Sequence, residues 1–263
     1  MFIINYYTTI MIYAANTSFM FRPSVYLLHE LKNKNMGIVN NVIVKMQRYE
    51  YMRRFLLYGE MYMNTLQTFT KMDECDGIGD KFENSISYIN YKPIHAIFKL
   101  SNGKELKLHP TSVKVREFVD TNIGNIYSMA LVDCNIQSID NQLKFSIQNV
   151  DRINSIGNGY DSIVVILNPV EFISRCEKTI QSMGYKLYYD PVEYFSDNEF
   201  NKKIEITPFM KRDRYKSQNE FRLFVDFNSN EPQIIKIGNI SDIAFLIHKS
   251  GICSLNDELP ESI

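Results

Sequence analysis

Apolar and polar residues alternate along many short runs of this chain, which is the period of a strand with one face in a core. The clearest case ends the stretch 211–227, KRDRYKSQNEFRLFVDF. Read as a strand from Gln218, it places Asn219, Phe221, Leu223, Val225 and Phe227 on one face. Gln218, Glu220 and Arg222 then share the other face. The plain reading is a half-exposed strand with one wet side. A second strand–helix–strand pattern lies nearer the front, at 42–46, 48–58 and 60–66. In its middle part Tyr51, Met52, Phe55 and Leu56 recur near helical spacing. Gly59 follows at the position of a left-handed helix cap. Residues 33–41 read as a connection and 73–79 (DECDGIG) as a loop.

The central region predicts more strands. Residues 94–100 and 105–108 flank Asn102-Gly103, a strong hairpin turn. Further strands are expected at 125–132, 162–167, 186–189 and 234–237. Residues 169–183 read as a helix that starts on Pro169 after Asn168 and stops at Gly184. Residues 196–206 read as a loop or short helix, and 241–248 (SDIAFLIH) as a short helix. Together these predict a single α+β domain at 41–255, built on mainly antiparallel strands with peripheral helices. Residues 1–40 form an N-terminal extension and 256–263 an acidic tail.

Composition narrows the chemistry. The net charge of −1 over 263 residues advertises no global nucleic-acid field. Cys75, Cys134, Cys176 and Cys253 show no CxxC spacing, which fits reduced thiols in a cytoplasmic protein. His29, His95, His109 and His248 are equally scattered, so no zinc site is expected. No phosphate loop, GxGxxG, GxSxG or HExxH pattern occurs. Residues 1–21 carry no charge, yet Asn5, Thr8, Thr9, Asn16, Thr17 and Ser18 dilute them. A buried element is favoured there over a membrane anchor. A later start at Met36 or Met46 is a third reading.

Three polar clusters remain. Lys45, Arg48, Arg53 and Arg54 read as a solvated helix face or as an anion site at a strand–helix junction. Tyr62, Asn64 and Thr65 can stack on a flat ring or bond a ribose or amide. Asp80 and Glu83, three residues apart, can bind a divalent cation or serve a turn. The third cluster joins Gln218, Glu220 and Arg222 to Lys211, Arg212, Arg214 and Lys216. With Phe209 and Tyr215 interleaved, these basic residues suit a nucleic-acid backbone or a dinucleotide, or they form an ordinary charged loop. A Gln-x-Glu pair sets an amide beside a carboxylate, an arrangement that can stabilise a developing sugar cation.

The runs RYEYMRRFLLYGEMYMNTLQTF…GIGDKFE and FMKRDRYKSQNEFRLF resemble a bacterial and phage family. Its members share a front GELYMNxLxYF…GDxxE block and a back K…Y…Q-x-E-[FY]-R block. The architecture of that family is similar to that of ADP-ribosyltransferases, with a split β-sheet core. The resemblance covers roughly residues 40 to 250. It implies NAD as co-substrate, Glu220 as catalytic glutamate and Gln218 as the group that positions the acceptor. Lys45 or Arg48 would stand for the basic residue of the first core strand. Asn64 and Thr65 would stand for the Ser/Thr element of the second. It further implies a nucleic-acid or protein acceptor, a toxin or phage-conflict role, and an antitoxin or chaperone as partner. The alternatives are a non-catalytic nucleic-acid or nucleotide-binding protein and, more distantly, a nuclease built on Asp80, Glu83 and Glu220.

Overall fold

The computed structural model describes residues 10–14, 17–21, 38–72, 79–92, 96–108, 112–139, 142–147 and 160–248. Near the start, β1 (Ile10–Ala14) and β2 (Thr17–Phe21) pair as an antiparallel hairpin, and β1 runs parallel to a later strand. Residues 1–21 are described only as these two strands. Their expected burial, the tail 256–263, and the cysteines and histidines other than Cys176 and His248 lie outside the described side chains.

The front block keeps the predicted strand–helix–strand order, although its first strand begins inside the expected connection 33–41 and Leu66 opens a helix rather than ending a strand. β3 (Ile38–Gln47) leads into α1 (Tyr49–Tyr58), then β4 (Glu60–Thr65) and the short α2 (Leu66–Lys71). Met52 and Phe55 bury one stripe of α1, while Tyr49, Tyr51 and Tyr58 stay exposed. Gly59 closes α1 at φ +59, and its N–H bonds the Phe55 carbonyl at 2.8 Å. A Cβ there would stand 2.4 Å from the Gly238 carbonyl oxygen and from Ile237 Cγ1. Gly59→Ala is therefore expected to cost on the order of 2–3 kcal/mol through combined backbone strain and overpacking. A lower urea midpoint at unchanged slope would show it.

An antiparallel pair follows, β5 (Ser85–Tyr91) and β8 (Val113–Phe118), completed as a three-stranded sheet by a later strand at Lys203–Glu205, with the hairpin β6 (Ala96–Lys99) and β7 (Glu105–Leu108) inserted between β5 and β8. The hub of the main sheet is β9 (Asn125–Ile139), joined to β10 (Gln142–Ile147) at its far end. Next come β11 (Ser162–Ile166), buried throughout, and α3 (Pro169–Ser182). Asn168 caps α3 by accepting from the Glu171 N–H. The short strands β12 (Tyr188–Pro191), β13 (Glu193–Phe195), β14 (Lys203–Glu205) and β15 (Met210–Arg212) lead to a 3₁₀ turn, Asp213–Gln218. The chain then forms β16 (Glu220–Val225), β17 (Gln233–Lys236) and β18 (Ala244–His248). The described residues are thus mixed α and β, with mainly antiparallel sheets and few helices.

Two further sequence expectations change. Residues 244–248 form a strand rather than a helix, because they ladder onto β11, and apolar residues at 244–247 fill both faces, which removes the period-two signal. Part of 196–206, expected as loop or helix, pairs with β5 as β14.

The main sheet splits at β9. On one edge, β3 ladders as far as Ala130, while β4 pairs only with Asn125 and Ile126. Between them, Tyr127 to Met129 lie where the two strands diverge. On the other edge β16 pairs with Asn125 to Ala130 without a break. Strand alternation then divides the faces. Ile43, Tyr127, Met129, Leu223 and Val225 turn to a core shared with Phe55 of α1 and Phe172, Cys176 and Ile180 of α3. Asn64, Ser128, Glu220 and Arg222 turn to the opposite side. No described helix is long and apolar enough to cross a membrane.

A candidate active-site cleft at the split of the sheet

Where β3 and β4 part, a cleft of about 410 Å³ opens over β9 and the start of β16. Its walls gather half of the cluster residues singled out in the sequence. Lys45, Tyr62 and Asn64 come from the front block, and Lys211, Gln218, Glu220 and Arg222 from the back block. Ser128 and Tyr160 also line it, as does Glu83, which reaches it from the turn before β5.

Glu220 lies at the centre of a buried ion network. Its Oε1 accepts from Arg222 Nε at 2.9 Å and its Oε2 from Lys211 Nζ at 3.1 Å. The same Lys211 ammonium donates to Gln218 Oε1 at 2.8 Å. Arg222 extends the network by pairing both terminal nitrogens with the Glu83 carboxylate, and its Nη1 also donates to the Pro208 carbonyl at 2.5 Å. Arg222 is 1% exposed and Glu220 is 7% exposed. Burial alone would raise the Glu220 carboxyl. The Arg222 and Lys211 charges outweigh it and hold the group well below the usual carboxylate range. For Glu83 burial prevails and pushes the carboxyl up, against the pull of Arg222 and Lys211. Two carboxylates that share one guanidinium are thereby driven apart, and Glu220 is the one held ionised.

Several expectations are corrected here. Gln218 does not belong to the strand. It ends the 3₁₀ turn, and Asn219 at φ +42 breaks the backbone before Glu220. That break is held by Asn219 Nδ2, which donates to the Leu131 carbonyl at 2.7 Å. Gln218 and Glu220 nevertheless meet, through their common bond to Lys211. The Glu220–Arg222 face is not wet, because the turn 79–84 and residues 208–215 close over it. Asp80 and Glu83 are not arranged for a cation, since Arg212 pairs with Asp80 and Arg222 with Glu83. The basic run 211–216 is not one patch. Lys211 and Arg212 are buried in ion pairs, whereas Arg214 and Lys216 are exposed. Arg222 likewise lies in the interior, away from any polymer backbone.

The front block divides as well. Tyr62 is 57% exposed at the rim and Asn64 is half-buried in the wall. Thr65 turns the other way, is buried, and caps α2 by accepting from the Thr68 N–H at 3.1 Å. Arg48 is exposed at the start of α1 and is not among the lining residues. Lys45 shares the helix-covered face with Ile43. Its ammonium fills the split, donating to the Ser128 carbonyl at 2.6 Å and lying 4.4 Å from the Tyr127 ring centroid. Burial pushes this amine down to about 8, partly offset by the Glu220 charge.

The sequence offered Glu83 as a turn residue, as a cation ligand beside Asp80 or as part of a nuclease site, and not as a partner of Arg222. The missing signal was its pairing with Arg222, which depends on a contact between the two blocks. Ser128 and Tyr160 carried no local signal.

The buried amine gives a testable linkage. A lysine lowered to about 8 in the fold binds its proton less tightly than the unfolded chain does, so stability rises with pH above 8. At neutral pH the charged amine is a net cost. Lys45→Met is therefore expected to raise stability by on the order of 1–3 kcal/mol at pH 7. Urea midpoints of the two proteins at pH 7 measure it.

No protein-family model, curated protein or solved structure matches this chain.

Proposed function

We propose that this chain is an ADP-ribosyltransferase-like enzyme that uses NAD and modifies a macromolecule. The observation that carries the reading is the convergence of Lys45, Asn64, Gln218 and Glu220 on one cleft at a split antiparallel sheet. The cleft volume falls within the roughly 300–1,000 Å³ of small-molecule sites. Its polar set suits a nucleotide: an ammonium for phosphate, Asn64 for hydroxyls or an amide, and Tyr62 at the rim for a ring. NAD would supply the glycosidic bond to be cleaved.

Each chain residue has a role in this scheme. Glu220 stays ionised at all physiological pH and faces positive charge as it develops on the ribose. Lys211 ties Gln218 to Glu220, so the amide that orients the acceptor is held beside the carboxylate. Arg222 and Glu83 fix the carboxylate from behind, which leaves little reorganisation at the moment of reaction. A toxin or phage-conflict role would follow from a macromolecular acceptor.

The second reading is nucleotide binding without turnover. It is favoured by the two cationic partners that already occupy both Glu220 oxygens. Labelled NAD incubated with the purified protein and a bacterial lysate separates the two. Nicotinamide release with label entering the protein or nucleic-acid fraction supports transfer. NAD binding by the folded protein with no release and no label supports the binding module.

A further inference from the structure

On the far side of α2 lies a second, separate groove of about 260 Å³. The helix is the partition. Phe69 and Met72 face the first cleft, whereas Gln67, Thr70 and Lys71 line the groove. Glu83 contributes to both walls, with its charge turned to Arg222. The groove is rigidly built. Asn84 Nδ2 donates to the carbonyls of Val119 and Thr121 at 3.0 and 2.8 Å, and Gln67 Nε2 donates to the Asp120 carbonyl at 2.6 Å.

Its chemistry is basic and aromatic. Lys71, Lys81 and Arg116 line it, against Asp120 as the exposed carboxylate. Phe118 stands at the rim with 57% exposure, far from what a large apolar ring adopts for packing. The Arg116 guanidinium lies 5.4 Å from the Phe118 ring centroid and 5.5 Å from that of Phe82. A ring braced by a guanidinium and flanked by lysines offers a stacking surface beside phosphate contacts. The groove is smaller than a drug-sized ligand site, so it suits one nucleotide of a longer strand.

We propose that this groove binds single-stranded nucleic acid, with Phe118 stacking on a base and Lys71, Lys81 and Arg116 holding the backbone. Its service as the acceptor site rests on the transferase reading, because only α2 and Glu83 separate it from the cleft. The binding itself does not.

Fluorescence anisotropy with labelled mixed-sequence RNA and DNA strands of about 12 nucleotides tests it without NAD. Three neutralised phosphates predict a slope of about −2 in log affinity against log salt, between about 50 and 200 mM. Phe118→Ala should weaken binding about tenfold, and Lys71→Gln should make the slope shallower by about 0.7. Both side chains are exposed, so both variants keep the fold. Unchanged affinity in both variants overturns the proposal. So does tighter binding of a poly-glutamate peptide than of either strand, which would mark a dock for an acidic protein. Nicotinamide release in the absence of acceptor should be unaffected by Phe118→Ala, with transfer to the strand lost. Strand binding with no NAD cleavage by wild type would remove the transferase reading and leave the groove standing.

Discussion

Glu220→Gln should lower NAD cleavage by about 10²–10³-fold, the usual cost of removing a group aimed at developing charge. The isostere keeps the shape of the side chain. It also keeps one acceptor for Arg222 Nε, whose bond to Oε1 is now 2.9 Å. What it loses is the negative charge. Its new –NH₂ group then faces Lys211 Nζ, which donates to Oε2 at 3.1 Å, so a donor meets a donor. The network is left with Lys211 and Arg222 against Glu83 alone. A loss of stability of about 3 kcal/mol should therefore accompany the loss of rate. For that reason the rates belong at a temperature where circular dichroism shows both proteins folded. Gln218→Ala provides the contrast. Gln218 is half-buried and sits in a turn, so its loss spares the carboxylate charge. It should reduce transfer to the acceptor far more than release of nicotinamide. Full NAD-dependent activity in Glu220→Gln would sink the mechanism.

The same network explains what was legible in the sequence. Alternation from Glu220 to Val225 gave the correct faces, because β16 is paired on both edges and its register is fixed. Extending that strand back to Gln218 failed at Asn219. Asn tolerates the left-handed region, so nothing in its type announces a break within a polar–apolar run. Gly59 was readable because a left-handed helix cap favours glycine at that place. Residues 244–248 were misread because an apolar run that fills both faces has no period.

The site shows the same division. Charges that neutralise one another across 130 residues and more cannot be paired from sequence. Asp80 and Glu83 therefore read as a possible cation loop, and Lys211 and Arg212 as part of a surface patch. Arg212 and Arg222, the partners of Asp80 and Glu83, come from the other end of the chain, whereas Lys211 is drawn inward by its near neighbours Gln218 and Glu220. The turn 79–84 and the segment 211–222 are, physically, the two halves of one clasp. Gly79 accepts from the Tyr215 hydroxyl at 2.9 Å, Asp80 binds Arg212, and Glu83 binds Arg222. That clasp covers the polar face of β16 and forms one wall of the cleft.

Arg222→Met should be the most destabilising of these substitutions, at about 3–5 kcal/mol. Arg222 is among the largest fully buried side chains of the described residues. Methionine fits much of its volume but leaves Glu83 and the Pro208 carbonyl without this donor, and Glu220 with Lys211 as its remaining cation. Against a typical total of about 5–15 kcal/mol, such a loss brings the protein close to unfolding. The double variant Arg222→Met, Glu83→Gln should recover part of it. Burial already pushes the Glu83 carboxyl up, so neutralising that group relieves a cost that the guanidinium had offset. Acid titration gives an independent check. Glu220 is depressed below its ordinary value of 4.5, so its contribution is present above that pH and is lost as pH falls below it. Glu83 is raised, so it works in the opposite sense and becomes costly to ionise as pH rises through its folded value. Wild-type stability should therefore fall below about pH 4.5, and Glu220→Gln should lose less over that range. Urea midpoints measured from pH 3 to 7 read both terms. Equal acid sensitivity in wild type and Glu220→Gln would mean that Glu220 is not the ionised centre of this network, and the catalytic assignment would fall with it.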